Sequence, residues 1–295
     1  MRRGVTGYFE PLAGRDAVFV YDEGDRHHEM LVASYLFDAT GGPGPCGSVN
    51  GAHEWMGARL GTAEFFTRRL RRMPLDADHP VWVPAGDLDL ADHVHVHELG
   101  GGWPALRDSI ARIAARRLDL GRPPWELHAI TGATDIDGHT PVTAIVLKVH
   151  HAAADGMDLR RIETALFTNA PPPGAPAAAA PAHPLETTVH AVARMPWNLL
   201  RFARKLRSTS PDVADVAAPA ADRPHTRFND PASGRLAFDV TSFDLDQIRA
   251  ARSVVDGATV NDVLLTIVGG ALAARRAFQW RYPGSRSRWR GRFEP

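Results

Sequence analysis

Apolar residues recur at two different spacings along the first 168 residues, and these spacings predict alternating helices and strands. Spacings of three to four positions indicate helix faces over residues 56–70, 106–118 and 157–166. Short runs rich in β-branched residues indicate strands over residues 30–37, 125–130 and 142–149. We therefore expect an α/β sandwich domain with a mixed sheet over residues 1–168.

The last of these strands leads into the sequence His-His-Ala-Ala-Ala-Asp-Gly at residues 150–156. Because side chains alternate along a strand, His151 would share a face with Val149 if the strand reaches its end, and His150 would point the other way. An imidazole is the usual general base near pH 7, and one facing a cleft could deprotonate an attacking hydroxyl. A hydrogen-bonded polar residue at a strand end is the alternative. Asp155 has the position of a helix N-cap, with Asp158 three residues on.

The composition changes after residue 168. Residues 169–184 are rich in proline and alanine, which predicts an extended linker. Residues 185–206 have a helical pattern that Pro196 breaks or kinks. The basic face of this helix suits either an anionic membrane surface or water. We assign residues 169–225 to a linker and crossover helix.

A second, shorter pattern follows over residues 226–276. It predicts a strand over residues 235–243, a helix over 244–255, and a further helix that begins after Thr259. Asp262 lies three positions after Thr259, as in a capping box, so Asn261 and Asp262 have a local role in the first turn. Residues 277–295 are rich in arginine and tryptophan and show neither period, so we expect an unstructured tail.

Composition excludes several classes of function. The chain of 295 residues has 34 basic and 34 acidic residues, so no basic field indicates nucleic-acid binding. Cys46 is its one cysteine, which excludes an internal disulfide and a cysteine-rich zinc site. No signal peptide and no apolar run of membrane-spanning length is evident. We expect a cytoplasmic protein or one bound peripherally to a membrane.

Two clusters of charged or titratable residues have a structural and a functional interpretation. His93, His95 and His97 would share one face of a strand, and imidazoles suit zinc, copper or nickel. No acidic or cysteine partner nearby completes a ligand set, which favours a solvated strand face. The arginines over residues 68–72 are expected at the solvated end of the helix predicted over 56–70.

The pattern at residues 150–156 resembles the signature of the CoA-dependent acyltransferase superfamily, which includes chloramphenicol acetyltransferase and peptide-synthetase condensation domains. Its surroundings are similar to the bacterial wax ester synthase/diacylglycerol acyltransferase family. Residues 118–128 resemble that family's LDRxRPLWE segment, with Pro124 in place of its leucine. Residues 228–235 resemble its FN…SGxR segment, and residues 259–263 its Asn-Asp motif.

The resemblance implies roles for the residues of the first motif. His151 would deprotonate the acceptor hydroxyl, and His150 would position the loop. Asp155 would fix the loop geometry rather than relay charge, and Gly156 would allow a tight turn. No metal or bound cofactor is implied, since acyl-CoA is a substrate.

Outside the motif, the resemblance places Pro124 and Trp125 near the site as structural residues. It also suggests that Asn261 and Asp262 shape the active site. In the resembling family a crossover joins two similar domains that resemble chloramphenicol acetyltransferase.

The implied reaction is the transfer of a long-chain acyl group from acyl-CoA to diacylglycerol or a long-chain alcohol, which gives triacylglycerol or wax ester. We expect the substrates to be met at the inner membrane face or at lipid inclusions. One alternative is a condensation-type acyltransferase with a carrier-protein donor. The other is a non-catalytic remnant that binds lipid. The loss of pattern after Arg276 predicts a second domain that stops early, and hence a shortened form with little activity on its own.

Overall fold

The structure, a computed structural model, describes residues 9–73, 76, 78–86, 88–136, 141–168, 196, 200 and 235–281. It divides into two compact units, Met1–Phe238 and Asp239–Pro295. Apart from Pro196 and Leu200, the predicted linker over residues 169–225 lies outside the described residues, as does the tail over 282–295.

The first unit alternates strands and helices. Its strands are β1 (Glu10–Pro11), β2 (Met30–Asp38), β3 (Arg68–Arg71), β4 (Val81–Pro84), β5 (Val94–Gly101), β6 (Trp125–Ala133) and β7 (Val142–His150). Its helices are α1 (Gly14–Asp22), α2 (Val49–Gly57), α3 (Trp103–Ala114) and α4 (Gly156–Leu166).

Four strands form a mixed sheet in the order β2-β7-β6-β5. β7 pairs antiparallel with both neighbours, whereas β5 and β6 are parallel. Every residue of β7 is buried, as its continuous apolar run predicts for an inner strand. The predicted mixed sheet is therefore confirmed. A second sheet, in the order β1-β4-β3, was not predicted.

Each face of the four-stranded sheet carries its own core. On one face, Leu147 and Val149 of β7 pack in a cluster with residues of α2 and α4. On the other, Val146 packs with Leu106 and Ile110 of α3. Because side chains alternate along β7, this strand contributes residues to both cores. The end of the strand therefore lies between helices on its two faces.

The helix predicted over residues 56–70 is wrong beyond Gly57, where α2 ends. Two 3₁₀ turns follow, Leu60–Thr62 and Glu64–Thr67, and the chain then enters β3. Met56, Leu60, Phe66 and Leu70 are all buried, but in four different elements. Tertiary packing has overridden a helical spacing. The arginines of residues 68–72 consequently lie on and after an edge strand, not at a helix end.

The second unit contains helices α5 (Leu245–Arg252) and α6 (Val260–Arg281). The predicted helix after Asp244 is confirmed, although it ends at Arg252. It begins there because the Asp244 side chain accepts hydrogen bonds from the N–H groups of Asp246 and Gln247. The strand predicted over residues 235–243 is wrong, since this segment pairs with no strand among the described residues. Residues 277–281 belong to α6 and not to an unstructured tail. Within the described residues, no helix combines the length and apolar character that crossing a membrane requires.

Candidate active site

The His-His-Asp-Gly motif forms the turn between β7 and α4. β7 ends at His150, residues 151–153 make the turn, and α4 begins at Gly156. An open cleft of about 290 Å³ lies over this turn. Its walls are the residues of the turn, Asp158 of α4, and three residues of α1, Arg15, Asp16 and Phe19.

His151 is half-buried at the edge of this cleft. Its ring stacks on Phe19, with centroids 3.9 Å apart and planes inclined by 19°. Its backbone N–H donates to the carbonyl of Glu29 at 2.8 Å, which ties the turn to the residue before β2. Its Nδ1 is buried and has no hydrogen-bond partner in the described part of the chain. Because His151 follows the last residue of β7, the alternation of that strand does not set its direction.

His150 is fully buried on the opposite side of the turn. Its backbone N–H donates to the carbonyl of Pro124 at 3.0 Å. Its Nδ1 accepts a hydrogen bond from the Ala152 N–H at 3.1 Å, so the neutral ring carries its proton on Nε2. Burial lowers the pKa of His150 and outweighs the opposing effect of Glu23. His150 is therefore neutral, and it holds the turn in place from its buried side through the hydrogen bond from Ala152.

The turn has a charged neighbour that sequence reasoning missed. Glu23 directly follows α1, and its side chain is fully buried. Its Oε1 lies 3.8 Å from His150 Nε2, and its Oε2 accepts from Arg117 Nε at 2.7 Å. Glu23 and Arg117 are 94 residues apart, and no periodicity or local motif connects them. The one available signal was a carboxylate shortly after the Ala-Val-Phe-Val stretch of α1.

Asp155 acts as the N-cap of α4, as predicted. Its Oδ1 accepts hydrogen bonds from the N–H groups of Met157 at 2.8 Å and Asp158 at 2.9 Å. The bond from Asp158, followed by that from Met157, lowers the pKa of this exposed carboxyl. The carboxylate makes no hydrogen bond to either histidine among the described contacts, so the geometry fits a loop-fixing residue.

The expectation that Gly156 allows a tight turn is wrong. Gly156 is the first residue of α4, and its φ is not in the left-handed region that favours glycine. A Cβ built at this position meets no atom within 4 Å. The backbone therefore permits a larger residue, and the turn does not require glycine.

Pro124 and Trp125 lie against the base of the turn, where the resemblance places them. Pro124 holds the N–H of His150, and Trp125 begins β6 opposite Val149 of β7. The Trp125 indole is fully buried, and its Nε1–H donates to the carbonyl of Phe66 at 3.1 Å. These contacts of Pro124 and Trp125 fix the position of the end of β7.

A chain of polar side chains crosses the sheet beside His150. Lys148 Nζ lies 3.2 Å from Glu126 Oε2, and His128 Nε2 lies 3.1 Å from the same oxygen. Burial alone would raise the pKa of Glu126, but His128 and Lys148 outweigh it and lower the pKa to about 2. Burial lowers the pKa of Lys148, although Glu126 opposes the shift. Glu126 is therefore ionised and anchors a buried polar network.

Of the three histidines predicted to share a solvated strand face, His95 and His97 lie together on β5, with ring centroids 6.4 Å apart, and His93 lies apart from them. His93 precedes β5, is buried, and stacks on Trp125, with its Nδ1 2.8 Å from the Trp125 carbonyl oxygen. His97 Nε2 lies 3.0 Å from Nδ1 of His128, and the rings of His95 and His128 are 4.8 Å apart. The solvated-face prediction is wrong for His93, because the residue is not part of the strand.

Asn261 and Asp262 lie in the first turn of α6, in the second unit. The N–H and Oγ1–H of Thr259 donate to Asp262 Oδ2, each at 2.7 Å, and the Asp262 N–H donates to Thr259 Oγ1 at 3.3 Å. This reciprocal arrangement confirms the predicted capping box. A role for Asn261 and Asp262 in shaping the active site stays a prediction.

Comparison with known proteins gives consistent matches. Residues 12–264 match the family model described as the wax ester synthase/diacylglycerol acyltransferase catalytic domain. A Mycobacterium tuberculosis H37Rv protein assigned provisionally as a diacylglycerol O-acyltransferase is 30% identical over 285 residues, which cover 88% of this chain and 58% of that protein. A Mycobacterium bovis protein with the same assignment is 29% identical over 247 residues, which cover 77% of this chain and 48% of that protein.

The same family is found among solved structures. The wax ester synthase/diacylglycerol acyltransferase from Marinobacter aquaeolei VT8 superposes with a TM-score of 0.60 and 26% identity. The superposition covers 91% of this chain and 61% of that chain. The chain thus spans 48%, 58% and 61% of the length of these three relatives, or about half to three fifths.

Proposed function

Because the chain belongs to the wax ester synthase/diacylglycerol acyltransferase family, we propose that the protein transfers a long-chain acyl group from acyl-CoA to an alcohol. The acceptor in this proposal is diacylglycerol or a long-chain alcohol, and the product is triacylglycerol or wax ester. Family membership supports an acyl donor and an acceptor as substrates. The identity of both is part of the proposal.

The observation that carries this proposal is the placement of His151. Its ring stacks on Phe19, its backbone N–H donates a hydrogen bond to the Glu29 carbonyl, and the residue borders an open cleft. A fixed imidazole beside a space that admits a reacting group has the geometry that general base catalysis needs. His150, by contrast, is fully buried and holds the Ala152 N–H, so it cannot meet a substrate in this arrangement.

The proposed reaction proceeds by direct attack. The imidazole of His151 removes the proton from the acceptor hydroxyl as its oxygen attacks the thioester carbonyl carbon. The new C–O bond forms, the C–S bond then breaks, and the proton passes from His151 to the departing thiolate. No covalent intermediate with the enzyme and no metal or bound cofactor takes part.

The neighbouring motif residues have supporting roles in this mechanism. His150 and Asp155 hold the two ends of the turn, one by accepting the Ala152 N–H and one by capping α4. The Ala-Ala-Ala stretch between them keeps side chains small at the cleft. The substrates are lipids, so we propose that the protein works at a membrane surface or at lipid inclusions.

The test compares two alanine variants in an assay of acyl transfer from radiolabelled long-chain acyl-CoA to diacylglycerol. We expect His151→Ala to reduce turnover by about 10²–10⁴-fold, which is the usual contribution of general base catalysis to the rate. His97→Ala removes an imidazole that does not border the cleft, and we expect it to retain activity. Melting temperatures of both variants control for folding. Near-normal turnover in folded His151→Ala would exclude the mechanism.

The donor class is tested in the same assay. We expect transfer from free acyl-CoA, the donor that is consistent with the family to which the chain belongs. Transfer from an acyl group on a carrier protein, with none from free acyl-CoA, would instead support a condensation-type enzyme. Binding of acyl-CoA without turnover would support a lipid-binding protein.

A further inference from the structure

A cavity of about 190 Å³ lies at the end of the four-stranded sheet that is remote from the His151 cleft. Thr143 of β7 borders this cavity, whereas His150 is the last residue of the same strand. At about 3.3 Å per residue, roughly 23 Å of strand lies between these two residues. The cavity therefore takes no part in the proposed reaction, and none of the motif residues lines it.

Three aromatic side chains from different parts of the fold line this cavity. Phe37 lies on β2, Trp55 lies on α2, and Phe167 directly follows α4. The centroid of the Phe167 ring lies 5.2 Å from that of Phe37 and 5.8 Å from that of Trp55. Aromatic rings pack favourably on one another at such separations, so these walls suit a ligand that is itself aromatic.

Arg59 holds two of the aromatic walls in place. Its guanidinium carbon lies 4.4 Å from the centroid of the Trp55 ring, and its Nη1 donates to the Trp55 carbonyl at 3.0 Å. Its Nε donates at 3.0 Å to the carbonyl of Leu166, the residue before Phe167. These contacts oppose movement of the walls into the cavity. The space is therefore preformed, which reduces the cost of binding a ligand.

Thr143 supplies a hydroxyl group that lacks a partner. The residue is 4% exposed, and its Oγ1 is buried without a hydrogen bond to any of the described residues. A buried hydroxyl in this condition costs free energy, and a ligand that pairs with it removes the cost. Rotation about χ1 exchanges the positions of the hydroxyl and the methyl group of threonine, so the hydroxyl can turn to meet a ligand.

The residues that line the cavity give it no positive charge. Burial raises the pKa of the Cys46 thiol to about 11, so this lining group is neutral at pH 7. The lining carboxylate of Asp38 is exposed and accepts the Thr40 N–H at 2.9 Å. Among the described residues, no arginine, lysine or histidine lines the cavity. An anionic ligand would lack a counter-charge here, so the cavity favours a neutral molecule.

We propose that this cavity binds a neutral molecule that has one aromatic ring and one hydroxyl group. The ring lies among Phe37, Trp55 and Phe167, and the hydroxyl pairs with that of Thr143. The volume suits a single ring, because an apolar cavity of about 150 Å³ engineered in another protein binds benzene. This site does not depend on acyl transfer, so its existence and the proposed function are tested separately.

The test compares two probes that differ by one hydroxyl group, p-cresol and toluene. Calorimetry measures the binding of each to the wild-type chain, to Thr143→Val and to Thr131→Val. Thr131 lies on β6 and does not border the cavity, so Thr131→Val is the matched control. We expect Thr143→Val to weaken p-cresol binding by about 3- to 10-fold, the usual effect of one hydrogen bond, and to leave toluene binding nearly unchanged. Thr131→Val should change neither.

A second variant tests the place of binding. Ala39 borders the cavity and is buried, so the larger side chain of Ala39→Leu should occupy the space and abolish the binding of both probes. The melting temperature of the wild type should rise with p-cresol concentration, because the ligand binds only the folded chain, and that of Ala39→Leu should not. The anion p-toluate should bind the wild type more weakly than p-cresol does.

Four results would overturn the proposal. The first is the absence of p-cresol binding to the wild type, and the second is binding that folded Ala39→Leu retains. The third is an equal change of p-cresol affinity in Thr143→Val and Thr131→Val, which would remove the role of the Thr143 hydroxyl. The fourth is tighter binding of n-hexanol than of p-cresol to the wild type, which would assign the cavity to an aliphatic chain.

Discussion

The carboxylate of Glu23 lies 3.8 Å from Nε2 of His150, and neither side chain is exposed to water. Both facing atoms, Glu23 Oε1 and His150 Nε2, lack a hydrogen-bond partner among the described residues. Because Nδ1 of His150 accepts the Ala152 N–H, the proton of its neutral ring is directed toward Glu23. The acidic neighbour therefore favours the tautomer that supports the turn.

The first prediction follows from this pairing. Glu23→Met, which leaves Arg117 and His150 without their common partner, should destabilise the fold by about 1–3 kcal/mol, as usual for buried polar groups left unsatisfied. Glu23→Gln keeps an acceptor near His150 and should recover much of the loss. Urea denaturation measures stability, and turnover at a temperature where all variants are folded measures positioning. Equal stability and turnover in the Met and Gln variants would show that Glu23 does not position His150.

Much of the fold could be predicted from the sequence, because β7 is a continuous apolar run, α4 has a helical period, and both are bounded by clear end signals. The N-cap at Asp155 and the capping box at Thr259 are local, and both were predicted correctly. The helix over residues 56–70 was not predicted correctly, because its apolar residues lie in four different elements and are buried there by tertiary packing. Glu23 and Arg117 could not be found, since contacts between distant segments leave no pattern in a single sequence.

A second prediction concerns Asp155. Its carboxylate caps α4 through two backbone N–H groups, and asparagine caps helices about as well as aspartate. We expect Asp155→Asn to retain the melting temperature and most of the turnover. Asp155→Ala should lower both, because the N–H groups lose their acceptor. A charge relay would require the negative charge, so a large loss of turnover in a stable Asn variant would contradict the loop-fixing role.

A third prediction concerns Gly156. No atom lies within 4 Å of a Cβ at this position, and alanine is favoured over glycine in a helix by about 0.5–1 kcal/mol. Gly156→Ala should therefore be at least as stable as the wild type in urea denaturation. If turnover falls in that stable variant, the glycine is needed for the close approach of a substrate. A lower stability would show that the turn does require glycine.

Metal independence is a fourth prediction. The ligand atoms of Asp22, His27 and Glu29 lie within 4.8 Å of one another, but none of these residues borders the His151 cleft. His151 itself is held by Phe19 and by a backbone hydrogen bond. Dialysis against a chelator should therefore leave turnover unchanged, with elemental analysis before and after as the control. A stoichiometric zinc ion that is lost together with activity would contradict this prediction.

The last prediction is a loss of stability in mild acid. His93, His128 and His150 are buried, and burial lowers the pKa of each below its ordinary value of 6.5. As the pH falls through 6.5, the unfolded chain takes up protons that the folded chain does not yet bind. Stability is therefore fully present above this pH and is lost as the pH falls toward the folded pKa values. Each such proton changes the free energy of unfolding by about 1.4 kcal/mol per pH unit.

Glu126 adds a second window at lower pH. Its pKa is about 2 in the folded chain against 4.5 ordinarily, so its contribution is lost as the pH falls from 4.5 toward 2. Urea denaturation at about pH 7.5, 6 and 5 isolates the histidines, because Glu126 is still ionised there. His150→Asn keeps an acceptor for the Ala152 N–H and removes one titrating group, so its slope should be smaller than that of the wild type. A free energy of unfolding that stays constant between about pH 7.5 and 5 would show that these histidines take up protons equally in both states.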